Sequence, residues 1–242
     1  MSGKELGFIE EALREDWAVP LGPDVNAFEA DLTAFIKSGE GSAESGEKSL
    51  HTPLSTLHTK EVVALASGTS AVHLALIACG VEPGDEVMVQ SFTFCASANP
   101  VAYLCATPVF VDSEPETWNM DPDLLDRAIA DRIAKTGKKP KAIIPVYLYG
   151  MPGRIDEIIA VGNKYGIPVI EDAAEGFGSR YDGRVCGTFG RFGVLSFNGN
   201  KMITTSGGGA LICPDEEAKR KVLWYATQAR ESYPYYQHEV IG

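Results

Sequence analysis

Between residues 61 and 213 this chain alternates short apolar runs with longer amphipathic ones. The runs at 61–66, 86–90, 107–111, 141–147, 168–171, 192–197 and 209–213 have the length and composition of strands. Segments at 70–79, 97–104 and 155–165, and one opening at Asp121-Pro122, read as helices between them, with another at 216–227. Proline suits the first turn at Pro122, and Gly166 suits the stop after 165. Parallel neighbours in a sheet need such long crossovers, whereas antiparallel ones can be joined by a tight turn. The alternation therefore predicts an α/β fold around a mostly parallel sheet. A chain of 242 residues can bury one core of that kind.

The first sixty residues are different. Leu6, Ile9 and Leu13 share one face of a helix predicted over 3–16. Pro20-Leu21-Gly22-Pro23 ends it, and Asp24 can cap a second helix through Phe35 that carries Phe28 and Leu32. Residues 38–60 are rich in Ser, Gly, Glu and Thr and have few apolar anchors, so they read as a polar surface loop. The expected organisation is an N-terminal helical segment over 1–37, this loop, and one large domain over 61–242.

Charge and composition exclude several functions. A net charge of −12 argues against a nucleic-acid surface, which needs clustered Lys and Arg. No apolar run of about 18 residues is present, and the start lacks the apolar stretch of a secretory signal, so neither membrane insertion nor export is expected. Five cysteines, an odd number without a Cys-x-x-Cys pair, suit reduced thiols in a cytoplasmic protein. The four histidines lack metal-ligand spacing, and no metal is expected.

Open α/β sheets bind ligands beyond the carboxyl ends of their strands. Three polar features sit there. Ser67-Gly68-Thr69-Ser70 opens a helix, where free N–H groups and the helix dipole attract an anion such as phosphate. The same residues could be a plain N-cap. Asp172 closes an apolar strand, where a carboxylate is costly to bury without a partner. It could pair with a ring nitrogen or cap the next helix. Lys201, in Ser196-Phe197-Asn198-Gly199-Asn200-Lys201, lies among small residues ahead of Gly207-Gly208-Gly209, with room for a bulky ring. Otherwise it is a surface lysine in a turn. Phe94 offers a stacking face or a core residue, and Ser196 a phosphate donor or a strand-end hydroxyl.

Phosphate turn, carboxylate and lysine are the parts that hold and run pyridoxal 5′-phosphate. The carboxylate keeps the ring nitrogen protonated, and the lysine captures the aldehyde and shuttles a proton.

The chain resembles the DegT/StrS-type sugar aminotransferases. The matching pieces are 66–71, 83–87, 107–112, Ile170-Glu171-Asp172-Ala173-Ala174-Glu175 and 196–201, in the family's order. The resemblance implies the aspartate-aminotransferase fold of fold type I, its large domain carrying the cofactor. It implies Lys201 as the lysine of the internal aldimine and Asp172 as the ring-nitrogen partner. It places Glu175 beside the ring hydroxyl and Phe94 on a ring face. Gly68, Thr69, Ser70 and Ser196 fall at the phosphate. It further implies amino transfer from glutamate to a nucleotide-linked keto sugar by a homodimer. Asn198-Gly199-Asn200-Lys201, 204–209 and Thr227-Gln228-Ala229-Arg230-Glu231 are similar to the branch acting on UDP-linked 4-keto-6-deoxy-N-acetylglucosamine, which serves bacillosamine-type sugars. Two departures stand out. The 38–60 loop is longer than usual, and the family's smaller C-terminal domain is expected beyond Gly242. A non-catalytic cofactor-binding or regulatory protein of the same fold, or an inactive fragment, is the competing reading. A dehydratase of this fold would carry histidine in place of Lys201.

Overall fold

The computed structural model describes residues 2–17, 19, 21–38 and 60–242. Its main sheet runs β1 (Glu61–Leu65), β9 (Gly209–Cys213), β8 (Phe192–Ser196) and β5 (Ile170–Asp172), then β4 (Ala142–Ile144), β2 (Glu86–Gln90) and β3 (Thr107–Val111). Strands β5 and β4 meet through the parallel bridges Ile143–Val169 and Val146–Asp172. Pairing is parallel throughout except that β9 runs against both of its neighbours. The strand expected over 141–147 is thus shorter. Pro145 has no N–H to give, and regular pairing stops at Ile144. Its carbonyl still accepts from the Asp172 N–H at 2.9 Å, which keeps β4 and β5 together.

Each strand points alternate side chains to opposite faces, and both faces are buried except at the edge strand β3, where Phe110 is exposed. One face gathers Val62, Met88, Ile143, Leu195 and Ile212 under Leu32 and Ile36 of α2 (Pro23–Lys37), Leu125 and Ile129 of α5 (Pro122–Thr136) and Ile158 of α6 (Ile155–Tyr165). The other gathers Val63, Val87, Ile144, Val194 and Leu211 under α3 (Gly68–Ala78), α4 (Asn99–Tyr103) and α7 (Glu216–Ala226). Two-sided burial is why these strands read as continuous apolar runs. The helices end as their sequences imply. Asp121 caps α5 by accepting from the N–H groups of Asp123 and Leu124. Gly166 closes α6 in the left-handed conformation.

Three details depart from expectation. The cap of α2 is Gly22, at φ 137°, rather than Asp24; the Trp17 ring lies so close over Gly22 that a Cβ there would meet it at 2.6 Å. The helix expected over 97–104 is split into a 3-10 turn, Cys95–Ser97, and the short α4. A small hairpin, β6 (Arg180–Tyr181) with β7 (Arg184–Val185), has no clear apolar pattern. Helix α1 (Glu5–Arg14) buries none of its residues. The interior of the 38–60 loop falls outside the described residues. Of its described ends, Ser38 is exposed and Lys60 is buried. No described helix is long and apolar enough to cross a membrane, and no group of metal-binding side chains occurs among the described residues.

Candidate active site

The parallel strands β1, β5 and β8 deliver Ser67, Asp172 and Ser196 to one edge of the sheet, and the turn after β8 adds Lys201. They line a cavity of about 480 Å³, within the usual size of small-ligand sites. Phe94, Ser97, Tyr149, Glu175, Asn198 and Asn200 complete much of its wall.

The anion turn is built by close backbone approach. Ser67 caps α3, its Oγ accepting from the Ser70 N–H at 3.1 Å and lying 2.9 Å from the Ser70 hydroxyl. The N–H groups of Gly68 and Thr69, in the first turn, have no acceptor within the helix. A side chain at Gly68 would press on Ser196, its Cβ 3.0 Å from that of the serine. A Cβ on Gly209 would fall 2.3 Å from the Ser67 carbonyl carbon. Glycine at both positions lets β8 and β9 abut the turn. Ser70 does not line the cavity; its hydroxyl serves the Ser67 cap.

Asp172 is buried. Its Oδ2 accepts from the Ser97 hydroxyl at 2.6 Å, and its Oδ1 from the Ala174 N–H at 3.2 Å. No helix follows Asp172, so the capping role drops out. Burial pushes its carboxyl above the usual aspartate range, while Ser97, the Ala174 N–H and Lys201 pull it back. Lys201 Nζ lies 3.3 Å from Glu175 Oε1, and Glu175 Oε2 accepts from the Tyr149 N–H at 2.9 Å. Tyr149 itself is left-handed, at φ 51°. Phe94 is 74% exposed on the cavity wall, which rules out a core role.

The structure thus brings Gly68, Thr69, Phe94, Asp172, Glu175, Ser196 and Lys201 together around one space, with Ser70 behind the turn. Ser97 and Tyr149 were not legible as site residues. Thr93 and Ser97, four apart, were a faint signal of hydroxyls sharing one side of a turn; Tyr149 had none. A larger cavity of about 660 Å³ opens at the opposite edge of the sheet. Its lysine, Lys60, is committed to the carbonyls of Gly190 and Arg191, so the smaller cavity is the better candidate.

The sequence profile of the DegT/DnrJ/EryC1/StrS aminotransferase family matches residues 53–242. The chain belongs to this family. It is 49% identical over its whole length to EpsN of Bacillus subtilis (strain 168), which carries a provisional assignment as a pyridoxal phosphate-dependent aminotransferase, and covers 57% of that protein. It is 36% identical over 97% of its length to the UDP-2-acetamido-2-deoxy-3-oxo-D-glucuronate aminotransferase of Pseudomonas aeruginosa, covering 57% of it. Among solved structures it is similar to a family aminotransferase from Brucella abortus, with a TM-score of 0.83 and 33% identity, over 97% of this chain and 57% of that one. The chain therefore spans a little over half the length of the relatives it matches. The fold is that of the fold type I pyridoxal-phosphate enzymes, and pyridoxal phosphate is the cofactor of the family.

The residues on the cavity fit that cofactor. The first-turn N–H groups of Gly68 and Thr69 suit a phosphate, the buried Asp172 carboxylate can accept from a ring N–H, and the Lys201 amine on the same cavity is the group that condenses with an aldehyde.

Proposed function

We propose that the full-length protein uses pyridoxal phosphate to move an amino group from glutamate to a keto carbon of a nucleotide-linked 4-keto-6-deoxy sugar. A UDP-linked, N-acetylated sugar is the first choice. One observation carries the reading: the anion turn, a buried carboxylate and Lys201 open onto a single cavity of about 480 Å³.

Bound pyridoxal phosphate would supply an electron-poor ring that accepts the electron pair left when a proton departs the amine-bearing carbon. The residues divide the remaining work. Gly68, Thr69 and Ser196 would hold the phosphate, with Ser70 and Ser67 bracing the turn. Asp172 would hold a proton on the ring nitrogen, and Phe94 would cover one ring face. Glu175 would sit beside the ring hydroxyl. Lys201 would anchor the cofactor through Nζ, then carry the proton between substrate carbon and C4′ as base and acid in turn. That work requires the neutral amine, so the contact with Glu175 must loosen as the cofactor enters.

The cavity holds two carboxylates, Asp172 and Glu175, against one lysine. A phosphate together with a nucleotide diphosphate needs further positive charge. A homodimer in which a second subunit closes the site supports that need. The reading also includes a cytoplasmic location and one large cofactor-binding domain over 61–242.

The test is direct. Full-length protein is incubated with pyridoxal phosphate, its visible spectrum recorded, and the adduct trapped with borohydride and mapped. Label on Lys201 is expected; label elsewhere, or no adduct, would sink the reading. UDP- and dTDP-linked 4-keto and 3-keto sugars, each assayed with glutamate, then decide the substrate.

A further inference from the structure

Ser97 is buried, on the 3-10 turn that also carries Phe94. Its hydroxyl donates to Asp172 Oδ2 at 2.6 Å. A serine has one proton to give, so the Thr93 hydroxyl, 2.7 Å away, must be the donor to Ser97. The second acceptor within reach of Thr93, the Phe94 carbonyl, is farther at 3.3 Å. The Ser97 N–H in turn donates to that same Phe94 carbonyl at 3.1 Å. A chain of hydroxyls thus runs from the cavity wall at Thr93 to the buried carboxylate, and one short turn ties that carboxylate to the aromatic ring.

We propose that Ser97 is a positioning residue for the cofactor: its hydroxyl fixes the Asp172 carboxylate and keeps it charged for the ring nitrogen, in register with Phe94. The proposal rests on the functional reading above. Each Asp172 oxygen takes one protein hydrogen bond and keeps a second acceptor site for a ligand. Without Ser97, Oδ2 would be a buried acceptor with no donor, and a carboxylate there would favour its protonated form. A protonated Asp172 cannot support a protonated ring. The charged groups facing Asp172 are Lys201 from the turn after β8 and Glu175 from its own loop. The turn bearing Ser97 brings only hydroxyls.

The test compares full-length parent, Ser97→Ala and Ser97→Thr by equilibrium binding of pyridoxal phosphate between pH 5 and pH 8, with thermal melting as a folding control. Ser97→Ala is expected to bind roughly tenfold more weakly at neutral pH, from loss of a hydrogen bond to a charged group. Its acid-side loss of affinity should begin at higher pH than in the parent. Ser97→Thr keeps the hydroxyl and should bind within about threefold of the parent. Parent-like binding and acid limb in Ser97→Ala would overturn the proposal while leaving the functional reading intact. So would equal loss in Ser97→Thr with an unchanged melt. Failure of the parent to bind at all would sink both.

Discussion

Lys201 Nζ and Glu175 Oε1 stand 3.3 Å apart, with the lysine side chain 13% exposed and the glutamate 34% exposed. The same carboxylate accepts from the N–H of the left-handed Tyr149, so it is tethered on its far side. That contact ties the amine to the glutamate, and capture of an aldehyde needs the amine released from it. Glu175→Gln keeps an acceptor for Tyr149 and removes the charge. Capture of pyridoxal phosphate at pH 7 should therefore be faster, by about threefold for a partly exposed pair. Stopped-flow absorbance reads the rate, and a slower capture would show that Glu175 instead helps the lysine.

Gly209 meets the Ser67–Gly68 peptide so closely that a Cβ would lie 2.5 Å from the Gly68 nitrogen. Backbone cannot give way there as the end of a flexible side chain could. Gly209→Ala should push β9 off the anion turn, costing about 2 kcal/mol of stability or more. It should also weaken binding of inorganic phosphate and of the cofactor together. Urea unfolding and calorimetric titration check the two effects.

How much of this was legible beforehand depended on whether a residue's role is local. Gly166 and the helix start at Asp121-Pro122 act within a few residues of themselves, and both read correctly. The order of strands and helices followed from periodicity, because burial of both sheet faces leaves an unbroken apolar run. The Ser67 turn, Asp172 and Lys201 were visible because polar groups at strand ends stand out against those runs. Ser97 was not, because its meaning lies in a contact 75 positions away. The shortening of β4 was legible in principle from Pro145, whose missing N–H interrupts pairing. Antiparallel β9 was not, because an apolar run bounded by Gly209 and Pro214 carries no record of its direction.

Asp172 carries a conflict between stability and function. Burial raises its carboxyl in the folded protein, so between the ordinary aspartate value and the raised one the native state holds a proton that the unfolded chain has already released. Its favourable contribution is present below the ordinary aspartate range and is lost as pH rises through the raised value. Asp172→Asn removes that loss, since its amide can still accept from Ala174 and donate to Ser97. The cofactor-free variant should melt about 3 °C above the parent at pH 7, with the gap closing by pH 4. The same variant should lose most of its affinity for pyridoxal phosphate. Melting curves at the two pH values, without and with cofactor, test both halves.

Lys60 titrates in the opposite sense. Its amine is buried, donating to the Gly190 carbonyl at 2.7 Å and the Arg191 carbonyl at 3.3 Å. Burial lowers it from 10.5 to about 8, opposed by the negative charge of Glu171 nearby. Between those two values the unfolded chain binds a proton that the folded chain does not, so this residue's contribution to stability rises with pH. Lys60→Met loses the two hydrogen bonds at every pH but does not titrate. The parent should therefore gain on the variant by on the order of 3 kcal/mol as pH climbs through that window. Other titrating groups, including the buried thiols, are shared by both proteins and largely cancel in the comparison. Urea unfolding of parent and variant at pH 7 and pH 10 gives the difference. A constant gap would mean that Lys60 stays charged in the fold, held by Glu171 more strongly than burial opposes it.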